Sequence, residues 1–141
     1  MQSELSDRDG DLSGSLGFRL LVCDDSNAER SALAQILRRR GYEVDEAADG
    51  AAALRLIKGR AYDLVLLDLN MPDVDGFDVL GYVQAHQARL PVVLMSGLPH
   101  EEIGDGIQRL PQQELPPLLL KPVDTRQLFQ VIELKLAGEL P

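Results

Sequence analysis

The sequence predicts an α/β fold of the doubly wound type, a parallel sheet with helices on both faces. Three observations carry this expectation. Short apolar runs alternate with helix-like stretches from residue 17 onward. The central runs are apolar without alternation, as strands buried on both faces require. The stretches between runs are long enough for the crossovers that parallel strands need.

Phe18-Arg19-Leu20-Leu21-Val22-Cys23 is the first strand. Ser26 opens a helix, and Glu29 three residues later completes a capping-box pattern. Leu33, Ile36 and Leu37 share one face of that helix, and Gly41 stops it. Tyr42-Glu43-Val44-Asp45-Glu46 alternates, as a strand near a sheet edge does. An alanine-rich helix follows from about Gly50 to Lys58. Asp63-Leu64-Val65-Leu66-Leu67-Asp68 is the third strand. After the loop Asn70 to Asp75, a helix runs from Gly76 to about Gln87 with Phe77, Leu80 and Val83 apolar. Pro91-Val92-Val93-Leu94-Met95 is the fourth strand, and Leu118-Leu119-Leu120 a short fifth. Between them Ile103, Ile107 and Leu110 keep helical spacing, but Gly104 and Gly106 each cost about 1 kcal/mol relative to Ala. The fourth helix is therefore expected to be short or irregular. Asp124 caps the final helix, with Gln127 at the capping-box position and Leu128, Val131, Ile132 and Leu136 on its apolar face.

Composition narrows the function classes. A chain of 141 residues is one domain's worth. Its net charge of −9 argues against direct nucleic-acid binding, which rests on Lys and Arg at phosphates. The one basic run, Arg38 to Arg40, reads as a cationic helix end before a Gly cap. No apolar run approaches the roughly 20 residues that span a bilayer, so no membrane association is expected. The polar N-terminus lacks the regions of a signal peptide. The single cysteine, Cys23, ends an apolar run and reads as a small core residue in a reducing, cytoplasmic setting. Residues 1–16 read as a disordered leader or linker, leaving 17–138 as the domain.

The informative residues stand where the strands end. The first strand ends in Asp24-Asp25, the third in Asp68, the fourth in Ser96 and the fifth in Lys121. In an open parallel sheet these C-terminal ends form the ligand crevice. Taken singly, each has a bland reading. Asp24-Asp25 fits an N-cap pair, Asp68 a loop carboxylate, Ser96-Gly97 a turn and Lys121-Pro122 a surface lysine. Four polar deliveries to one edge are hard to credit as accident. Three converging carboxylates repel one another, and one lysine cannot neutralise them. A hard divalent cation can, and Mg²⁺ favours a few carboxylates with waters and phosphate oxygens. An Asp carboxylate can itself act as nucleophile and form an acyl phosphate. Lys121 and Mg²⁺ suit the equatorial oxygens of a transferred phosphoryl group, and Ser96 suits a hydrogen bond to that group once attached.

With VCDDSN, LLDLNMPDVDG, MSG and LLLKPVD in this order, the chain resembles the receiver domain of two-component response regulators over about residues 17–138. The resemblance implies a flavodoxin-like, five-stranded order 2-1-3-4-5. It implies that Asp68 is the phosphoacceptor, served by a sensor histidine kinase or a phosphotransfer protein. Asp24 and Asp25 would hold Mg²⁺ together with Asp68, and Asn70 would add its backbone carbonyl. Lys121 would pair with the phosphoryl group and Ser96 would move towards it. Pro122 fits a cis peptide after the lysine, and Met71, Pro72 and Gly76 shape the loop after Asp68. Such a domain is a switch with at most weak self-dephosphorylation, not a turnover enzyme. It acts on a downstream protein target that the sequence does not name, and a homodimer is compatible with the sequence.

Two positions depart from the family. Leu118 stands where an aromatic partner of the moving hydroxyl is common, and Gly97 to Pro117 is rich in Gly and Pro. Both bear on the output and not on the phosphorylation chemistry. They leave a phosphorylation-independent pseudo-receiver as the alternative. A phosphatase with an Asp nucleophile fits less well, because its nucleophile commonly sits on the first strand with a second Asp two residues on. His86 and His100 read as surface residues.

Overall fold

A computed structural model describes residues 17–71, 76–97 and 116–138. Five strands, β1 (Arg19–Cys23), β2 (Glu43–Ala47), β3 (Leu64–Asp68), β4 (Val92–Ser96) and β5 (Leu118–Leu120), form one parallel sheet of order β2-β1-β3-β4-β5. Four helices lie among the described residues: α1 (Asn27–Arg39), α2 (Gly50–Gly59), α3 (Gly76–His86) and α4 (Thr125–Leu136). The 1–16 leader, the expected short or irregular helix after β4, His100 and Pro72 all lie outside the described residues.

Alternate strand side chains feed two cores. Leu21, Cys23, Val65, Leu67, Val92 and Leu94 pack against Ala53 and Ile57 of α2 and Phe77, Leu80 and Val83 of α3. Leu20, Val22, Leu64, Leu66, Val93 and Met95 pack against Leu33 and Leu37 of α1 and Leu128 and Ile132 of α4. Every residue of β3 and β4 is buried, which explains why neither shows polar alternation. Cys23 is a fully buried core residue. Burial pushes its thiol far up, with further help from Asp24 and Asp68, so it is no thiolate.

Element ends shift by a residue for local reasons. Arg40 caps α1 and Gly41 follows with φ +96°. The Tyr42 N–H then returns to the Leu37 carbonyl (3.3 Å), so β2 starts at Glu43 and not at Tyr42. Its alternation is also incomplete: Asp45 and Glu46 are both half-buried, because Tyr62 and Arg60 hold Asp45 on one face while Arg30 and Arg38 hold Glu46 on the other. Pro91, which has no N–H to donate, stands just before β4. The basic run also reaches beyond its helix. Arg38 donates to the Val44 carbonyl (2.7 Å), and Arg40 pairs with Glu133 of α4 while lying over the Phe129 ring.

Gly76 shows why the loop after Asp68 needs glycine. A Cβ at this first residue of α3 would overlap the Asp68 carbonyl oxygen and the Leu69 Cα. These are main-chain atoms that cannot rotate away.

Candidate functional site

Register places the polar strand ends together. Cys23 pairs with Leu67, so Asp24 leaves β1 beside Asp68 at the end of β3. Asp68 pairs with Met95 and Ser96 with Leu120, so Ser96 and Lys121 follow one step on. Three main-chain bonds pin the edge: Asp24 N–H to the Ala47 carbonyl (3.1 Å), Leu69 N–H to Met95 (2.9 Å) and Lys121 N–H to Ser96 (2.9 Å).

The side chains complete it. Asp24, Asp68 and Ser96 are essentially without solvent exposure, whereas Asp25 is exposed at the rim. Lys121 Nζ donates to Asp68 Oδ2 (2.8 Å) and to Asp24 Oδ2 (3.2 Å). The other Asp68 oxygen, Oδ1, accepts the Asn70 N–H (2.8 Å). The Lys121–Pro122 peptide is cis. All five residues singled out at the strand ends therefore lie at one edge, with Asn70 against the central carboxylate.

Burial dominates the titration of Asp68. It raises the carboxyl above its ordinary range, and the Asp24 charge adds to this, against the hydrogen bonds from Lys121 and Asn70. Burial alone would lower Lys121, but its bonds to Asp68 and Glu29 and the nearby Asp24 charge hold it well above the ordinary lysine range. The ammonium is thus permanently charged at neutral pH.

Asp24, Asp25 and Asp68 present oxygens that all lie within 4.8 Å of one another. These carboxylates outnumber the one ammonium beside them, and a divalent cation would offset the excess. The donors are hard carboxylate oxygens, a set that suits Mg²⁺.

One member of the cluster is missing from the sequence reading. Glu29 Oε1 accepts from Lys121 Nζ at 2.8 Å. The capping box is only half made: Ser26 Oγ accepts the Glu29 N–H (3.2 Å), but the Ser26 N–H donates to Asp24 Oδ1 (2.9 Å). Asp24 thereby takes over the reciprocal bond, and Glu29 is free to reach the lysine. The S-x-x-E spacing hid this second role. Beside the pair, a groove of about 240 Å³ runs between α1 and residues 121–125, lined by Leu33, Ile36 and Val123 among others.

Comparison with known proteins agrees with this arrangement. The family described as "Response regulator receiver domain" matches residues 20–133. The response regulator protein FleR of Pseudomonas aeruginosa is 30% identical over 89% of this chain, which covers 26% of FleR. The sensor protein EvgS of Escherichia coli O157:H7 is 40% identical over 52% of this chain and 6% of its own length. Among solved structures, the response regulator TrrA of Thermotoga maritima, in complex with Mg²⁺–BeF, superimposes with a TM-score of 0.72. It is 28% identical, with 84% of this chain and 98% of that one covered. This chain thus spans about a quarter of FleR and far less of EvgS. With the order β2-β1-β3-β4-β5 and an acidic cluster at the strand ends, the chain belongs to the receiver-domain family of two-component response regulators.

Proposed function

We propose that the chain is a phosphoryl-accepting switch modified on Asp68. One observation carries the reading: a fully buried carboxylate, raised by its burial, is bonded on one oxygen to Lys121 and on the other to the Asn70 N–H. A carboxylate so held is oriented and stripped of most of its solvation, as a nucleophile should be.

In the proposed step an Asp68 oxygen attacks the phosphorus of a phosphohistidine on a sensor histidine kinase or phosphotransfer protein. The P–O bond forms as the P–N bond breaks, and the imidazole leaves with the electron pair and takes a proton from solvent. Lys121 offsets charge on the transferred phosphoryl oxygens. Ser96 donates its hydroxyl to them after transfer. Asp24, Asp25, Asp68 and the Asn70 carbonyl would hold Mg²⁺, which supplies further charge neutralisation at the same oxygens.

The modified domain then alters its binding to a downstream protein, and hydrolysis of the acyl phosphate resets it slowly. A cytoplasmic location follows from the kinase chemistry. No helix among the described residues is long and apolar enough to cross a membrane. Leu118 is half-buried against the α2–α3 core, so the readout proceeds without an aromatic rotation at that position.

The test is incubation with Mg²⁺ and acetyl phosphate followed by intact-mass measurement. One added phosphoryl group is expected, and none in Asp68→Asn. An equal adduct in the variant overturns the assignment to Asp68. No adduct in the wild type leaves a phosphorylation-independent interaction module.

A further inference from the structure

We infer that Glu29 is a positioning residue that restrains Lys121 in the resting site and slows the modification of Asp68. The inference rests on the phosphoacceptor reading above. An ammonium has three protons to donate, and here three carboxylates take them: Asp68 at 2.8 Å, Glu29 at 2.8 Å and Asp24 at 3.2 Å. An arriving phosphoryl group therefore meets a lysine with no free proton, and one existing bond must be given up.

The three partners differ in what release costs them. Asp24 has no solvent exposure, so water cannot take the ammonium's place there. Asp68 is the atom donor to the new bond and stays in place. Glu29 is 54% exposed in the first turn of α1, and water can solvate its carboxylate as soon as it turns away. Its release also leaves the helix start intact, because Asp24 and Ser26 hold the cap without its side chain. Glu29 is thus the bond that gives way. Until it does, it draws the ammonium outward and places a further negative charge beside a phosphoryl group that already carries its own.

The test compares the wild type with Glu29→Gln, which keeps the shape and a hydrogen-bond acceptor but removes the charge. Both are labelled with acetyl phosphate and Mg²⁺, the adduct is followed by intact mass over time, and melting temperatures are recorded alongside. E29Q should label roughly two- to five-fold faster, the scale of a partly exposed ion pair. Raising the salt concentration should narrow the gap by screening the pair in the wild type, an effect that a purely structural role does not produce. If the wild type labels and E29Q is equally fast or slower, or if salt leaves a gap unchanged, the role of Glu29 is wrong. If the wild type takes no phosphoryl group at all, the phosphoacceptor reading fails and this inference with it.

Discussion

Asp68 and Asp45 are both half of a carboxylate–cation pair, and the protein moves them in opposite directions. Asp45, on the edge strand β2, accepts from Tyr62 Oη (2.7 Å) and pairs with Arg60 (2.8 Å) near the end of α2. Burial tends to raise it, but the side chain keeps 29% exposure, and the bonds from Tyr62 and Arg60 pull it below the ordinary range. Asp68 has just as close a cation, yet it rises because it is buried and faces Asp24. Geometry alone does not decide the sign of a carboxylate's shift. Access to solvent and the presence of a second carboxylate do. The first pair is a surface clasp, and the second is a buried cluster in which carboxylates outnumber the cation.

Removing the cation should separate the two most widely. Lys121→Ala leaves Asp24 and Asp68 facing each other in the sheet edge without compensation. It should destabilise the domain by about 3 kcal/mol, read by urea denaturation, and reduce acetyl phosphate labelling below detection.

Titration gives the next contrast. Asp68 binds its proton more tightly folded than unfolded, so its contribution is present below the ordinary carboxylate range and is lost as pH rises through its folded value. Wild type should therefore lose stability relative to Asp68→Asn as pH rises above about 4. Asp45 is the reverse case. Its contribution is present above about pH 4 and is lost as pH falls through its lowered folded value. Wild type should hold an advantage over Asp45→Asn at neutral pH that disappears in acid. Denaturant titrations of the three proteins across pH test both slopes, and slopes of the same sign would undo the contrast.

Tyr62→Phe should have the smallest effect, about 1 kcal/mol from one lost hydrogen bond. Its phenol, pushed up to about 12 by burial and by the Asp45 bond, stays protonated throughout the range in which the domain works. The same variant should bring Asp45 part of the way back towards its ordinary value in an NMR titration of the side-chain carboxyl.

The contrast also marks what could be read from the residues alone. Periodicity gave five strands and the helices among the described residues, because β3 and β4 are apolar up to their last residues, α1 and α4 carry polar caps at Ser26 and Asp124, and α2 is rich in alanine. Asp24, Asp25, Asp68, Ser96 and Lys121 were legible because a parallel sheet delivers every strand end to one side. Glu29 was not legible as a site residue. Its partner lies 92 positions away, and its local spacing already satisfied a helix-start pattern. The division of labour at Asp24, one oxygen for the helix cap and one for Lys121, is likewise a matter of three-dimensional placement. Asp45, Arg60 and Tyr62 raised no signal either, since surface clasps have no sequence period. The start of β2 shifted because a helix-closing turn claimed the Tyr42 N–H.

The contact beneath Gly76 has a further consequence, for what this chain can become. The first residue of α3 is seated on the main chain of Asp68 and Leu69, with room for a hydrogen atom and nothing larger. The cleft chemistry places no demand on that position, yet it is closed to the other nineteen amino acids. Variation must enter elsewhere, at positions where a side chain has room. The glycine is then fixed at this point by steric exclusion under the helix.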